Sequence, residues 1–340
     1  MPITAPKEAI NEDSNKTYSQ DWISYNQAQT QEKILFLELL YELTSQIKQP
    51  KRNGAGRPPV DLGEMVYACC LKTYLDFSSR RSESDIKLAQ QLGYIDHVPH
   101  FNTMLKYIRK PEMKQVLTKL IQMSALPLKE VESNFAMDAS GFSIVMSFAW
   151  NKVNRSSLER RKFKKAHIMV GTKTNVITHI EVTDGYLSDT KMFENLLSNT
   201  SRNFQIRELY ADKGYLSEKN LGIAFRYGAI PFIPFHRNMK RASGDKMLIW
   251  RVMFEFFRDH SEEFMKHYHQ RSNVESAFSM MKRKFGSYLR ARSSVGRENE
   301  VLCKALCHNI CVLIQEMFEL GIKVDFQEMT PLEFMCKIEL

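Results

Sequence analysis

The stretch His267–Gly286, HYHQRSNVESAFSMMKRKFG, decides the fold, because the other predictions depend on the helix that it contains. Ser261 suits a helix N-cap and Gly286 suits a helix end, so the sequence predicts one helix between them. At about 100° per residue, one face of this helix carries the polar side chains Tyr268, Arg271, Glu275 and Lys282. A neighbouring stripe carries the apolar side chains Val274, Phe278, Met281 and Phe285. We expect the apolar stripe to be buried.

A carboxylate flanked by cations on one helix face suits a metal ion beside a phosphate, since the acid holds the cation and the bases hold the polyanion. The alternative is an ordinary amphipathic helix with a solvated charged face. The spacing Tyr, two residues, Arg, three residues, Glu, six residues, Lys resembles the signature of DDE insertion-sequence transposases. This resemblance implies two aspartates upstream, each at the end of a strand.

Two upstream stretches meet that requirement. The first, NFAMDASGFS, is typical of a strand that ends at Asp138, and the second, ELYADKGYLSEKN, predicts a short strand that ends at Asp212. Burying such carboxylates is costly unless a cation pairs with them. Converging Asp138, Asp212 and Glu275 side chains would repel one another without a metal between them. Oxygen ligands without a His/Cys cluster indicate Mg²⁺ or Mn²⁺, with two ions in the site.

The order of predicted strands and helices indicates the fold class. Three β-rich runs lie at His167–Val170, Val176–Val182 and Ala229–Phe235, in addition to the two strands that carry the aspartates. The resulting order β-β-β-α-β-α-β-α is that of a ribonuclease H-like fold, an α/β class with a mixed five-stranded sheet and flanking helices. We expect the signature helix to bring Glu275 to the strands that bear the aspartates.

We divide the chain into four parts. They are a polar arm, helix and basic linker (1–57), a helical DNA-binding domain (58–128), a catalytic domain with a short helical insert near 236–260 (129–295), and a C-terminal helix packed on it (296–340). The second part resembles a helix-turn-helix unit, although a helical dimerisation or support domain is the alternative. The aromatic side chains of the insert are predicted to be core, and stacking of Trp250 on a displaced base is the alternative.

A net charge of +9 favours an anionic partner. The resemblance implies double-stranded DNA, in the form of terminal inverted repeats and target DNA. It implies that Tyr268 and Arg271 hold phosphates near the cleaved bond and that Lys282 holds the neighbouring strand. Basic turns, the linker and the segment NRSSLERRKFKKAH add further predicted DNA contacts, which are Lys213, Arg161, Lys164, Arg57 and Arg80.

The resemblance implies a transposase that binds terminal repeats and catalyses metal-dependent 3′-end cleavage and strand transfer. A ribonuclease H-like nuclease without strand transfer would use the same carboxylates, and a catalytically silent DNA-binding regulator is a third reading. We expect a homodimer in the synaptic complex.

Two further features concern the protein's environment. No apolar run reaches the roughly 18 residues of a membrane span, so we expect no membrane and a cytoplasmic, nucleoid-associated protein. Cys303, Cys307 and Cys311 recur at helical spacing, which predicts a buried helix face in a reducing compartment instead of a zinc site. Asp184, Asp189 and Asp259 are alternative candidates for the metal-binding carboxylates. Asp184 lies in a predicted turn, and Asp189 precedes a predicted helix that it suits as a cap.

Overall fold

The computed structural model describes residues 21–49, 60–144, 163–236, 239 and 247–326. Arg57 and Arg161 lie outside these described residues, as do most of the predicted arm, linker and basic segment.

In the described part of the chain, five α-helices precede the sheet, as the predicted all-α region requires. They are α1 (Trp22–Ser45), α2 (Leu62–Tyr74), α3 (Glu83–Gln91), α4 (Phe101–Tyr107) and α5 (Glu112–Ala125). The carboxylate of Asp21 accepts hydrogen bonds from the backbone N–H groups of Ile23 and Ser24 and so begins α1. Asp61 caps α2 by accepting from the N–H of Glu64.

The sheet is mixed and has six strands, with the order β3-β2-β1-β4-β5 and β6 paired with β1. The strands are β1 (Asn134–Ile144), β2 (Phe163–Gly171), β3 (Ile177–Asp184), β4 (Glu208–Ala211), β5 (Ile230–Phe232) and β6 (Tyr288–Leu289). β1, β2 and β3 are antiparallel neighbours, whereas β4 and β5 run parallel to β1. This agrees with the predicted ribonuclease H-like class, and β6 is a short addition to the five expected strands.

Asp138 does not end its strand, contrary to the sequence prediction. β1 pairs in parallel with β4 only as far as Met137, which lies opposite Ala211. Beyond that point β1 continues to Ile144, because β2 still pairs with it on the other side and β6 pairs with its last residues. Asp138 therefore lies in mid-strand, at the position where the parallel neighbour stops.

The helices that follow β3 in the chain are α6 (Phe193–Ser201), α7 (Glu218–Arg226), α8 (Leu248–Asp259), α9 (Ser261–Tyr268), α10 (Ser272–Phe285) and α11 (Ser294–Glu319). From Met247 onward, where the structure describes it, the predicted insert is helical and contains α8. Trp250 on α8 is buried, and its ring packs edge-on against Phe235 at 5.0 Å between ring centroids. The insert aromatics are therefore core, as predicted.

The signature helix is interrupted, although the sequence predicts one continuous helix. A 3₁₀ turn, His269–Arg271, separates α9 from α10, and α10 ends before Gly286, whose φ is +80°. His267 on α9 stacks on Phe232 of β5 at 4.4 Å and pairs with Glu208 of β4 at 2.8 Å. α10 instead packs on β1 and β2. The turn joins two helices that are held by different parts of the sheet.

The apolar helix α11 lies at the centre of the molecule. It packs on β2 and β3 on the one hand and on α1, α2 and α5 on the other. By length and composition it could cross a membrane, but 78% of its apolar window is buried inside the protein, as in a core helix. The buried residues on both sides of the predicted boundary at 128–129 belong to one hydrophobic cluster. The N-terminal helices thus share the core of the sheet.

Four of the described cysteines lie where α11 meets α2. Cys69, Cys70, Cys303 and Cys307 are buried free thiols, and the Cys307 thiol donates to the backbone oxygen of Cys70 at 3.4 Å. The helical spacing therefore marks a buried helix face, as predicted. Burial raises the pKa of Cys69 and Cys311, which keeps these thiols protonated near neutral pH.

Replacing Glu316 of α11 by glutamine is expected to stabilise the protein above neutral pH. Glu316 is 7% exposed. Burial, followed by the charges of Glu319 and Glu132, raises its pKa to about 7. The folded state therefore binds an extra proton between the pKa of the unfolded chain and about 7, and its stability falls as pH rises through this window. Above the window, Glu316→Gln removes a penalty of roughly 3 kcal/mol.

Urea unfolding at pH 8 and at pH 4 measures this effect. The gain should be present at pH 8 and absent at pH 4, where the carboxyl group is protonated in both states. An equal gain at both pH values would show that the glutamine acts through packing and not through charge.

Candidate functional site

The sheet register places the two aspartates side by side. Met137 of β1 lies opposite Ala211 of β4 in the parallel pair, so the next residue of each strand is an aspartate. Asp138 Oδ1 accepts the N–H of Ala139 at 2.7 Å, and Asp212 Oδ1 accepts the N–H of Lys213 at 2.7 Å. Both carboxylates are thus held by the local backbone at one edge of the parallel pair.

α10 carries Glu275 to the same place. Successive side chains of a strand alternate between faces, so Asp138 and Ser140 lie on the same face of β1. Lys282 Nζ donates to Ser140 Oγ at 2.6 Å, which fixes one end of α10 over this face. Glu275 lies seven residues earlier, which is about two helical turns, and so lies near Asp138. The pairing with Ser140 sets the register of the helix on the strand.

Arg271 joins the carboxylates. Its Nη1 donates to Asp138 Oδ2 at 2.8 Å, and its Nη2 pairs with Glu275. The Asp138 and Arg271 side chains are 23% and 19% exposed, whereas that of Glu275 is 60% exposed. The site therefore has a half-buried floor and an open side that faces solvent.

The electrostatic environment of Asp138 disfavours a bare negative charge. Burial is the largest cause that raises its pKa, and the charges of Asp212 and Glu275 raise it further. The N–H of Ala139 and the guanidinium of Arg271 act in the opposite direction without cancelling the effect. A second positive charge among these three carboxylates is thus electrostatically favoured.

The other signature residues surround the same point. Tyr268 is half-buried, with its ring 5.9 Å from the Arg271 guanidinium, and the charges of Asp212 and Asp138 help burial to raise its pKa. Burial lowers the pKa of Lys282, whose ammonium lies 5.3 Å from the Phe142 ring. All four residues of the helical pattern therefore lie in or beside the site, despite the break in the helix.

The remaining predicted DNA contacts fall into different environments. Lys213 is exposed directly beside Asp212, and Arg80 is exposed on the turn before α3, with its guanidinium 4.9 Å from the Phe101 ring. Lys164 is only 3% exposed. Its ammonium pairs with Asp184 and Glu298 at 2.7 Å each, so the structure does not place it on a DNA-facing surface. The reason is that the Lys164 side chain reaches α11, where Ser294 and Glu298 accept hydrogen bonds from its ammonium.

A second polar cluster, which sequence reasoning missed, lies behind the aspartates. Asp189 does not cap its helical turn; it pairs with Lys165 and lies 3.3 Å from His167 Nδ1. Burial is the main reason that the pKa of His167 falls to about 4, so its ring is neutral at pH 7. The Tyr215 hydroxyl is buried near Asp189, Asp138 and Asp212. The alternation of Lys165 and His167 on β2 was the sequence feature that could have indicated this cluster.

The other two alternative carboxylates, Asp184 and Asp259, lie outside this cluster. Asp184 pairs with Lys164, and Asp259 pairs with the adjacent Arg258 at 2.6 Å. Among the described residues, no group of three or more His, Cys, Asp or Glu side chains already forms a metal-binding arrangement. Arg271 occupies the space between Asp138 and Glu275 that a shared cation would need.

Comparison with known proteins bears on this site. Residues 130–310 match the family model described as "Transposase DDE domain". The chain is similar to the probable transposase for insertion sequence element ISA1214 of Archaeoglobus fulgidus, with 28% identity over 279 residues, which cover 80% of this chain and 81% of the relative. No solved structure matches the chain. The matched region contains Asp138, Asp212 and Glu275.

Proposed function

The chain belongs to the DDE transposase family, and on this premise we propose that it cleaves DNA at the 3′ ends of an insertion sequence and joins those ends to target DNA. The observation that carries the proposal is the convergence of Asp212 and Glu275 on Asp138, with Arg271 paired to Asp138 and Glu275. Three carboxylates from separate elements meet at an open site, beside the basic side chains Arg271, Lys282 and Lys213 that suit a DNA backbone.

The donor set fits divalent metal ions. Carboxylate oxygens are ligands that Mg²⁺ and Mn²⁺ prefer. Burial first, and then the charges of Asp212 and Glu275, raise the pKa of Asp138, and a bound cation would stabilise its charged form. We propose Asp138, Asp212 and Glu275 as the ligands of two ions. Bound ions of this kind activate the attacking oxygen and stabilise the leaving oxygen in a displacement at phosphorus.

Arg271 has two positions in this proposal. In the structure its guanidinium neutralises Asp138 and Glu275. With Asp138 and Glu275 holding a metal ion, the guanidinium would be free to bind a DNA phosphate through two parallel hydrogen bonds. Tyr268 lies against Arg271 and limits where the guanidinium can turn. We thus assign Arg271 and Tyr268 to the phosphates nearest the cleaved bond and Lys282 to the neighbouring strand.

The test is cleavage of a labelled duplex that carries the inverted repeats flanking the gene, with Mg²⁺ or Mn²⁺ present. The wild-type protein should nick at the 3′ end of the repeat and then join that end to target DNA. Asp212→Ala and Glu275→Ala should lose both products and keep repeat binding. Cleavage that neither substitution affects would refute the assignment of the three carboxylates.

The same assay separates the alternative functions. Cutting without joining would indicate a ribonuclease H-like nuclease, and tight repeat binding without cutting would indicate a regulator. Gel filtration of the protein–repeat complex tests whether it contains two copies of the chain, as the proposed homodimer requires.

Replacing Lys282 by glutamine is expected to weaken binding to all DNA sequences alike. In the proposal its ammonium contacts a phosphate while it also donates to Ser140, and glutamine is polar but carries no charge. Loss of one phosphate contact should reduce the magnitude of the slope of log K against log salt by about 1. Titrations at several salt concentrations measure this slope.

The matched control is Lys323→Gln. Lys323 is exposed and follows the end of α11, roughly 40 Å along that helix from Ser294. Its substitution should leave the slope unchanged. Equal slopes for Lys282→Gln and the wild type would remove Lys282 from the DNA interface.

A further inference from the structure

A cavity of about 420 Å³ lies where α2 and α4 meet the segment between β6 and α11. Its size falls within the range of small-ligand pockets, roughly 300–1,000 Å³. Apolar side chains form much of its lining, and they are Phe101, Met104, Leu105, Ile108 and Ala291. The cavity is separate from the carboxylate site, and the proposed chemistry does not use it.

Cations line the same cavity. They are Lys72, Arg80, Arg109, Arg290 and Arg292. Arg290 is engaged with Asp76 at 3.0 Å, whereas Arg80, Arg109 and Arg292 are exposed. The acidic residue among the lining residues is Glu300, which accepts the backbone N–H groups of Arg290 and Ala291 at 2.8–3.0 Å. The Glu300 carboxylate is thus occupied by hydrogen bonds within the protein. The cavity therefore has an apolar interior and a positively charged rim.

An apolar interior and a positive rim match the two parts of a nucleotide. A phosphate suits the exposed guanidinium groups and cannot favourably enter the apolar interior. A base has a flat face that stacks on aromatic rings and on arginine planes, and Arg80 already lies on the Phe101 ring at 4.9 Å. An intact duplex is too wide for this cavity, so its base must leave the stack to enter.

The cavity also lies within reach of DNA bound at the carboxylates. β1 continues from Asp138 to Ile144, where Leu289 of β6 pairs with it and the chain leads directly to Arg290. At about 3.3 Å per residue, this part of β1 is roughly 20 Å long. A duplex rises 3.4 Å per base pair, so the same distance is about six base pairs.

We propose that the cavity binds one base turned out of the duplex, about six base pairs from the cleaved phosphate, with its phosphate on the rim arginines. The inference rests on the proposed function, since it takes DNA to be bound at the carboxylates. Unpairing a base costs free energy, and stacking in the cavity offsets this cost. The consequence is recognition of a position inside the terminal repeat at which the base pair opens easily.

The test uses a series of repeat duplexes, each with 2-aminopurine in place of one base, at positions from about the fourth to the tenth base pair. Metal ions are left out so that the DNA is not cleaved. One position should show a several-fold rise of fluorescence when the protein binds. Leu105→Trp, which fills the cavity from its lining, should abolish that rise. Leu88→Trp is the matched control, because Leu88 is exposed on α3 and does not line the cavity.

An abasic residue at the responding position gives a second measurement. It should weaken wild-type binding about tenfold and should have little effect on Leu105→Trp, because that variant no longer holds the base. Circular dichroism checks that Leu105→Trp is folded. Equal abasic effects in both proteins, or no fluorescence rise at any position, would overturn the proposal.

These outcomes distinguish the proposal from the function on which it rests. Repeat cleavage that depends on Asp212 and Glu275, with no fluorescence rise, would refute the base-binding cavity alone. Failure to bind or to cut the repeats would refute both. Binding that is weakened by Arg109→Gln but not by Leu105→Trp would limit the rim to a phosphate contact and would also overturn base entry.

Discussion

Asp138→Asn is expected to reduce DNA cleavage and strand transfer together by about a thousandfold or more. Loss of one proposed metal ligand should remove several kcal/mol of transition-state stabilisation, and each 1.36 kcal/mol is a factor of ten in rate. The same substitution should raise the melting temperature of the metal-free protein. Burial and the charges of Asp212 and Glu275 disfavour a charged Asp138, and asparagine keeps an oxygen that can accept from Arg271.

The opposite signs of these two effects make the prediction specific. Substitution of a residue that is needed only for folding would lower the activity and the stability of the protein together. Cleavage assays and thermal unfolding of the same preparations measure both quantities, and added Mn²⁺ should stabilise the wild type more than the variant. Asp259→Asn is the control, because Asp259 is a carboxylate that pairs with Arg258 at the surface. A stability loss in Asp138→Asn would contradict the assigned role.

Lys164→Met is expected to lower the free energy of unfolding by about 2–4 kcal/mol without weakening DNA binding. The ammonium is almost fully buried and donates to Asp184, Ser294 and Glu298. Burial lowers the pKa of Lys164, but the two carboxylates more than offset this, so the pKa lies above its usual value. Methionine has a similar volume, so the substitution removes the charge and leaves Glu298 without its partner.

Urea unfolding and repeat-binding titrations of the folded variant separate the structural role of Lys164 from a role in DNA binding. The double variant Lys164→Met with Glu298→Gln should recover part of the lost stability, because the unpaired carboxylate is then gone. Unchanged stability combined with weaker DNA binding would restore Lys164 to the DNA interface that its sequence context predicts.

In the stretch that carries Tyr268, Arg271, Glu275 and Lys282, some features follow from the sequence spacing and others follow from tertiary contacts. Residues three and four apart share a face of any helix, so the spacing of Arg271, Glu275 and Lys282 was sufficient to predict their common orientation. The 3₁₀ turn could not be predicted from that spacing. It lies between α9, where His267 contacts Glu208 and Phe232 far away in the chain, and α10, which packs on β1 and β2.

The sequence by itself determined the family resemblance, the mixed sheet with its flanking helices, and the three acidic residues, because local periodicity and short motifs carry these features. Only the tertiary structure decided that β1 continues past Asp138, that Lys164 is buried, and that the N-terminal helices share the core of α11. Lys165, His167 and Asp189 likewise became a cluster only in the folded chain. The physical reason is that strand pairing and burial depend on residues distant in the sequence, whereas helical spacing depends on near neighbours.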